Sequence, residues 1–406
     1  MGRFIVIIID SFGIGAMSDV EKVRVQDVGS NTALHIIQNK PDISLKTMEK
    51  LGLMNAIGSE YKTHRFSETA NWGVSNLAHL GADSFLGHQE IMGTIPKPFL
   101  DHPFAEKMDE VRAHLNQLGY RTKGVGENGK PQILLVNDCV TIGDNLETDG
   151  GQVYNVTGCL DLISFEKLKE IGQAVREVVQ VSRVIVFGGT GVTVNDLLGA
   201  FQVKNNRLAG VDAPKSGVYR QGYQVVHLGY GIDPELQIQT ILEKAGIAVS
   251  LFGKVADVVQ TGSNLLTLGV DTGELFKALN HAVVAMPHGF FCLNVQETDI
   301  AGHLGDVEYY ANRLELCDKE IASLLTHLSE GDICIVTADH GNDPTTIHSN
   351  HTRERAPILI ASPGIVGRQI GERSTLADIG ATVADYFGVP TTQQGRSFLP
   401  CLLPKK

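Results

Sequence analysis

The sequence predicts an α/β protein: a mostly parallel sheet flanked by helices, with a second α+β domain inserted into the core. Three observations carry this expectation. Short apolar runs recur at 4–9, where the run is β-branched, and at 289–296 and 332–338, and each gives way to polar residues. A long stretch between the last two repeats its apolar residues at three- and four-residue spacing. The middle of the chain, 101–220, mixes isolated apolar runs with irregular polar stretches.

The first run ends in Asp10-Ser11-Phe12-Gly13-Ile14-Gly15, a buried strand entering a glycine-bearing turn. GFFCLNVQ at 289–296 leads into Thr298-Asp299, and DICIVTA at 332–338 leads into Asp339-His340. Between them Val307, Tyr310, Leu314, Cys317, Ile321, Leu324, Leu325 and Leu328 mark one face of a helix whose other face is charged. Strand, helix and strand in this order imply a parallel βαβ unit. A helix near 374–387 starts at a Ser/Thr cap and stops at Gly388, before Pro390. In the middle, strands at 133–136 and 184–187 and a helix near 165–179 stand beside irregular polar stretches at 141–155 and 202–220. A return to the core is expected from 221, with a helix near 233–245 and a strand at 248–252. The core is therefore placed at 1–100 and 221–406, and the inserted cap domain at 101–220.

The chain has 406 residues, 43% hydrophobic and 20% charged, enough to bury a large core without disulfide or metal staples. Its formal net charge is −12 and it has no Lys/Arg-rich run, which argues against nucleic acid or an anionic membrane as partner. An anionic substrate must then be met locally, by metal ions or a few placed cations. None of the six cysteines forms a CxxC pair, so buried free thiols in a reducing compartment are expected. The run at 4–9 is too short for a signal segment and no stretch approaches membrane-spanning length, so the expected location is cytoplasmic. Nothing in the sequence sets the oligomeric state.

Six residues point to chemistry: Asp10, Asp299, His303, Asp339, His340 and His351. Each Asp follows a predicted buried strand, and in open α/β sheets ligands bind outside the carboxyl ends of strands. Asp299 and His303 are four apart and share a face if a helix begins there. Asp339 and His340 are adjacent, and His351 follows within the polar loop 342–352. Any one of these Asp residues taken alone reads better as a helix cap, and any one His as a satisfied polar residue. Three carboxylates and three imidazoles in three strand-end segments shift the balance toward two divalent cations of the zinc or manganese type. Such a pair clamps the attacking and leaving oxygens of a phosphoryl group. Ser84, three residues before Gly87-His88, offers a hydroxyl to receive phosphate, although alone it reads as a helix cap.

These residues lie in motifs that resemble the phosphopentomutase family of the alkaline phosphatase superfamily, and more distantly cofactor-independent phosphoglycerate mutase. The resemblance covers most of the chain. It is carried by IDSFGIGAMSD at the start, ICIVTADHGNDPTTIHSNHTRERAP at 333–357, GHQEIMG at 87–93 and FGKVADVV at 252–259. It implies an alkaline-phosphatase-like core and two metal ions, manganese first, with zinc or magnesium as alternatives. One ion would be held by Asp10, Asp339 and His340, the other by Asp299, His303 and His351. Ser84 would be the phosphorylated hydroxyl, and Lys254 and Arg220 would face the substrate. The implied reaction moves phosphate between the 1 and 5 positions of ribose or deoxyribose, an intramolecular phosphotransfer. A metal-dependent phosphatase on the same core is the alternative. The chain departs from the family at Ala82-Asp83-Ser84, where Lys-Asp-Thr is usual, and at Gln89, where Trp is usual. Asp299 and His303 are four apart, where the family's spacing is five. No Arg-Pro-Phe motif occurs near 190–205.

Overall fold

The opening apolar run forms strand β1, Arg3–Ile9, with all seven residues buried. Side chains alternate between the two faces of a strand, so both faces of the sheet are covered here. The computed structural model describes residues 2–147 and 150–403. They divide into two compact units, Met1–Ile95 with Asp233–Lys406, and Pro96–Ile232.

The first unit is built on one eight-stranded sheet. Its strands in chain order are β1, β2 (Asn71–Ser75), β3 (Val249–Phe252), β4 (Leu265–Thr267), β5 (Gly289–Val295), β6 (Ile333–Thr337), β7 (Ala356–Ala361) and β8 (Gln369–Arg373). Across the sheet they run β4-β3-β5-β1-β6-β7-β2-β8. Only β7 runs against its neighbours; the remaining pairings are parallel. The expected α/β class with a mostly parallel sheet is therefore observed. β3, β5 and β6 are buried throughout, like β1.

Register places four strand ends side by side. Ile9 pairs with Val295, Ile8 with Thr337, and Phe252 with Leu293. Helix Glu297–Leu304 follows β5 directly and is succeeded by Val307–Leu325, the amphipathic helix read from the sequence. The late helix is Ala377–Phe387, closed by Gly388 at φ 65. Its expected Ser/Thr cap is partly realised, since Thr375 Oγ1 accepts from Ala377 N at 3.0 Å. The helix expected near 233–245 is a short 3-10 turn, Pro234–Leu236, followed by Ile238–Lys244.

The second unit holds a six-stranded sheet and a two-stranded hairpin. Here the sequence pattern misled at three places. Much of 141–155 is strand, Val140–Asp144 and Val153–Cys159; residues 148 and 149 lie outside the described residues. Both strands are buried on both faces, so no polar alternation betrays them. The polar stretch 202–220 contains the hairpin Phe201–Lys204 and Leu208–Val211, turning over Asn205 and Asn206 at φ 55 and 51. Residues 221–232 belong to this unit and not to the core, because Gln224–Gly229 pairs antiparallel with Arg183–Gly189. Five cysteines are free and buried as expected, whereas Cys401 is exposed.

The amino-terminal end of β1 is pinned by Arg3. Its Nε and Nη2 bond Asp332 Oδ2 at 3.0 and 2.5 Å, and its remaining donors reach the Val283 and His327 carbonyls at 2.6 and 2.7 Å. Burial pushes the Asp332 carboxyl up, but Arg3 and the Ser329 amide outweigh it and hold it below its usual value. A carboxylate with a depressed folded pKa stabilises above its unfolded pKa, near 4, and that contribution fades as pH falls. Arg3→Met is expected to lower stability by about 3 kcal/mol at neutral pH, since it strands a buried charge. Denaturant titration should show this gap shrinking below about pH 4; a gap that stays constant with pH would contradict the assignment.

Candidate active site

Four neighbouring parallel strands each deliver site residues at their carboxyl ends. β1 gives Asp10, β5 gives Asn294 and then Asp299, β6 gives Asp339 and His340, and β3 gives Lys254. Neighbouring strands lie about 4.8 Å apart, so residues distant in sequence meet without long loops. Asp10, Asp339 and His340 are fully buried, and Asp299 nearly so.

At the centre, Ser84 Oγ donates to Asp339 Oδ2 at 2.6 Å and lies 3.5 Å from Asp10 Oδ1. Ser84 opens helix Ser84–Ile91, but it is not the cap. Asp83 is, accepting from Leu86 N at 3.0 Å, and this leaves the serine hydroxyl free to face the carboxylates. The helix can come this close because residue 87 is glycine. A Cβ there would stand 2.6 Å from the Asp339 carbonyl oxygen and 2.9 Å from its Cβ.

Asp10 Oδ2 receives Lys254 Nζ at 3.0 Å and Asn294 Nδ2 at 2.9 Å. Burial and the neighbouring Asp339 push the Asp10 carboxyl up, and Lys254 opposes them. Burial likewise pushes Asp339 up, but His340 and His88 outweigh it and hold it well below the usual carboxylate range. The Lys254 ammonium is disfavoured by burial, yet Asp10, Asp299 and Asp339 more than restore it and raise its pKa. Asp339 Oδ1 also takes the Ser11 amide at 3.0 Å, from a residue held at φ 67.

The second group lies around Asp299. His351 Nε2 is 3.2 Å from Asp299 Oδ1, and His303 Nε2 is 3.5 Å from Oδ2. The two Nε2 atoms are 3.0 Å apart. His340 stacks on His351 with ring centroids 4.0 Å apart, joining the two groups. Ligand atoms of Asp10, Asp339 and His340 lie within 4.8 Å of one another, as do those of Asp299, His340 and His351.

The three rings share one arrangement that bears on metal binding. Each Nδ1 bonds a backbone carbonyl: His340 to Gly341 at 2.9 Å, His351 to Ala82 at 2.8 Å, His303 to Ser349 at 2.6 Å. A carbonyl only accepts, so each Nδ1 carries a hydrogen and Nε2 is the ring atom turned inward. His340 Nε2 is buried with no hydrogen-bond partner, 3.3 Å from Asp339 Oδ2 and 3.5 Å from Asp10 Oδ1. Burial pushes His340 down, but Asp339 and Asp10 outweigh it and lift it to about 9. Three inward Nε2 atoms beside three carboxylates fit divalent cations, which would take the place of any proton held at Nε2.

The structure thus brings seven of the predicted residues and Lys254 into one cluster. Arg220 belongs to the second unit, exposed, in the turn before strand Gln224–Gly229. Several contributors escaped the sequence reading. His88 bridges the Ser84 carbonyl and Asn294 Oδ1, both at 2.8 Å, and stands 3.2 Å from Asp339 Oδ2. Asn342 Nδ2 donates to Asp299 Oδ1 at 3.1 Å. Thr298 Oγ1 donates to the Asp10 carbonyl at 2.7 Å, tying the Asp299 helix to β1. Asn294 had a visible signal: it is the one polar residue inside an apolar strand, where a buried polar group calls for a partner.

Residues 2–391 match the Metalloenzyme superfamily. The chain is 31% identical to a phosphopentomutase of Caldanaerobacter subterraneus subsp. tengcongensis, over 98% of this chain and 97% of that one. It is 29% identical to a phosphopentomutase of Acetivibrio thermocellus, over 99% of this chain and 100% of that one. Among solved structures, Leishmania mexicana phosphoglycerate mutase matches 98% of this chain and 97% of its own with a TM-score of 0.45 and 11% identity. The chain belongs to the phosphopentomutase family, within a superfamily of metal-dependent enzymes. It is an isomerase-class enzyme, a phosphomutase. Among the described residues, no helix is long and apolar enough to cross a membrane.

Gly87→Ala tests the close approach of the serine helix. The added methyl meets backbone that cannot yield, so the helix must retreat, at a cost of about 1–3 kcal/mol. Expected are a lower Tm and phosphotransfer slowed by about 100-fold, the effect of roughly 1 Å misplacement. Activity and Tm both matching the parent would refute the contact.

Proposed function

We propose that the enzyme moves a phosphoryl group between the 1 and 5 positions of ribose or deoxyribose, or of a closely related small molecule, through a phosphorylated Ser84. The observation that carries this is the Ser84 hydroxyl, which bonds Asp339 at 2.6 Å and lies 3.5 Å from Asp10, beside the ligand group Asp10, Asp339 and His340. Asp10, Asp339 and His340 would hold one divalent ion, and Asp299, His303 and His351 the other, manganese first. His340 stands within reach of both groups. When bound, the ions would supply positive charge to the Ser84 oxygen and to the transferring phosphoryl oxygens.

The chain's own residues organise the exchange. In the first transfer the bond from phosphorus to Ser84 Oγ breaks and one to the substrate's free hydroxyl oxygen forms. That hydroxyl's proton passes to Ser84 Oγ, whose hydrogen bond Asp339 accepts. The second transfer runs the reverse way from the other phosphate of the bisphosphate, and Ser84 is phosphorylated again. Lys254 holds Asp10 in place and brings a cation to the anionic site. Excluding water distinguishes a mutase from a phosphatase, and family resemblance alone assigns that role to the second unit. Arg220 is assigned to the substrate by family resemblance alone.

Ser84→Ala should retain two manganese ions per chain by metal analysis, yet lose phosphotransfer by about 1000-fold or more. Mass spectrometry of the trapped parent enzyme should place phosphate on Ser84. Full activity in the variant, or phosphate elsewhere, would end the assignment.

Substrate preference is tested separately. The absent Arg-Pro-Phe motif removes a guanidinium that would hold phosphate, a loss of about 2–5 kcal/mol when desolvated. Ribose 5-phosphate should therefore turn over with kcat/KM below about 10⁴ M⁻¹s⁻¹. A higher value would show that Arg207, Lys215 or another cation replaces it. Release of free phosphate without isomerised sugar would identify a phosphatase.

A further inference from the structure

Residues 76–82 join β2 to the Ser84 helix and form neither helix nor strand. Their backbone polar groups must find partners elsewhere. Two buried residues of opposite charge provide five of them. Arg353 donates from Nη1 to the His79 and Gly81 carbonyls at 2.7 and 2.8 Å, and from Nη2 to the Leu77 carbonyl at 3.1 Å. Its Nε bonds Asp19 Oδ1 at 2.9 Å, and Nη2 bonds Asp19 Oδ2 at the same distance. On the amide side, Glu90 accepts from Ala78 N at 3.0 Å, His79 N at 3.1 Å and His79 Nδ1 at 2.7 Å. Glu90 also takes Thr375 Oγ1 and Leu376 N at 2.6 and 2.8 Å, and it sits in the same helix as Ser84. The next carbonyl, of Ala82, is the one that His351 Nδ1 bonds.

We infer that Arg353 and Glu90 form a backbone clamp that sets the position of Ser84. This rests on Ser84 being the nucleophile. Arg353 holds the carbonyls of Leu77, His79 and Gly81 and Glu90 the amides of Ala78 and His79, so both charges act on the same backbone segment. Both side chains spend their hydrogen bonds within the protein, so neither contacts substrate. They are positioning residues. A planar guanidinium suits this role, because it presents several donors in one fixed fork, whereas an ammonium is a single point.

The test compares Arg353→Lys and Glu90→Gln with the parent manganese enzyme. Each variant should reduce kcat by about 100-fold, as expected for roughly 1 Å misplacement, with KM changed less than about threefold. Manganese content should stay at the parent value, and amide exchange should speed up selectively in 76–83. Asp19→Asn, which loosens the guanidinium without removing it, should give a smaller effect of the same kind and serves if Arg353→Lys does not fold. Parent-like kcat with parent-like exchange in 76–83 would overturn the clamp. Loss of manganese together with kcat would also overturn it, since the residues would then act through the ion sites. Phosphate mapping on the parent separates the two ideas. Phosphate absent from Ser84 sinks the nucleophile assignment, whereas phosphate on Ser84 with unaffected variants sinks only the clamp.

Discussion

Three carboxylates share one buried place at the end of the sheet, and most of the surrounding structure answers their repulsion. Two like charges about 4 Å apart cost roughly 4 kcal/mol at the effective dielectric of a protein. The fold meets this with donors from several directions. Lys254 and Asn294 take Asp10, the Ser11 amide and Ser84 hydroxyl take Asp339, and Asn342 takes Asp299. The imidazoles complete the set, each locked through Nδ1 to a backbone carbonyl. That locking spends one nitrogen on structure so that the other is aimed inward. The same carbonyls belong to the loops that carry Ser84 and His351, so aiming the rings and shaping the loops are one act.

Much of this was legible in the sequence, for a physical reason. The core strands are buried on both faces and read as continuous apolar runs, and each ends where a charged residue begins. Asp10, Asp299 and Asp339 therefore announced themselves as strand-end residues, and the helix linking β5 to β6 fixed the strands as parallel. The second unit was less legible. Its strands Val140–Asp144 and Val153–Cys159 carry Gly, Asn and Thr, and only cross-strand pairing makes such segments strands. Strand Gln224–Gly229 was assigned to the core because nothing local in its sequence says which sheet it joins.

The residues missed at the site act on others rather than on a ligand. His88 holds Asn294, which holds Asp10, and Gly87 only makes room. Composition and spacing reveal side chains that converge on a site. They do not reveal backbone carbonyls that need a donor, so nothing in the sequence singles out Arg353. A glycine whose hydrogen faces a carbonyl oxygen is equally silent until the two segments are brought together.

The sheet order has a consequence for how the chain is made. β1 lies at the centre of the sheet, yet its two neighbours are β5 and β6, about 290 and 330 positions later. A ribosome releases this strand long before either neighbour exists. Each strand of the second unit's six-stranded sheet, in contrast, finds its partners within residues 122–229. Such local pairings close cheaply, whereas contacts of high sequence separation come late and slowly. The apolar segment Phe4-Ile5-Val6-Ile7-Ile8-Ile9 must therefore wait, exposed, while the rest is synthesised, and is open to aggregation meanwhile. Nascent-chain yield, more than equilibrium stability, is where substitutions in β5 and β6 would first be felt.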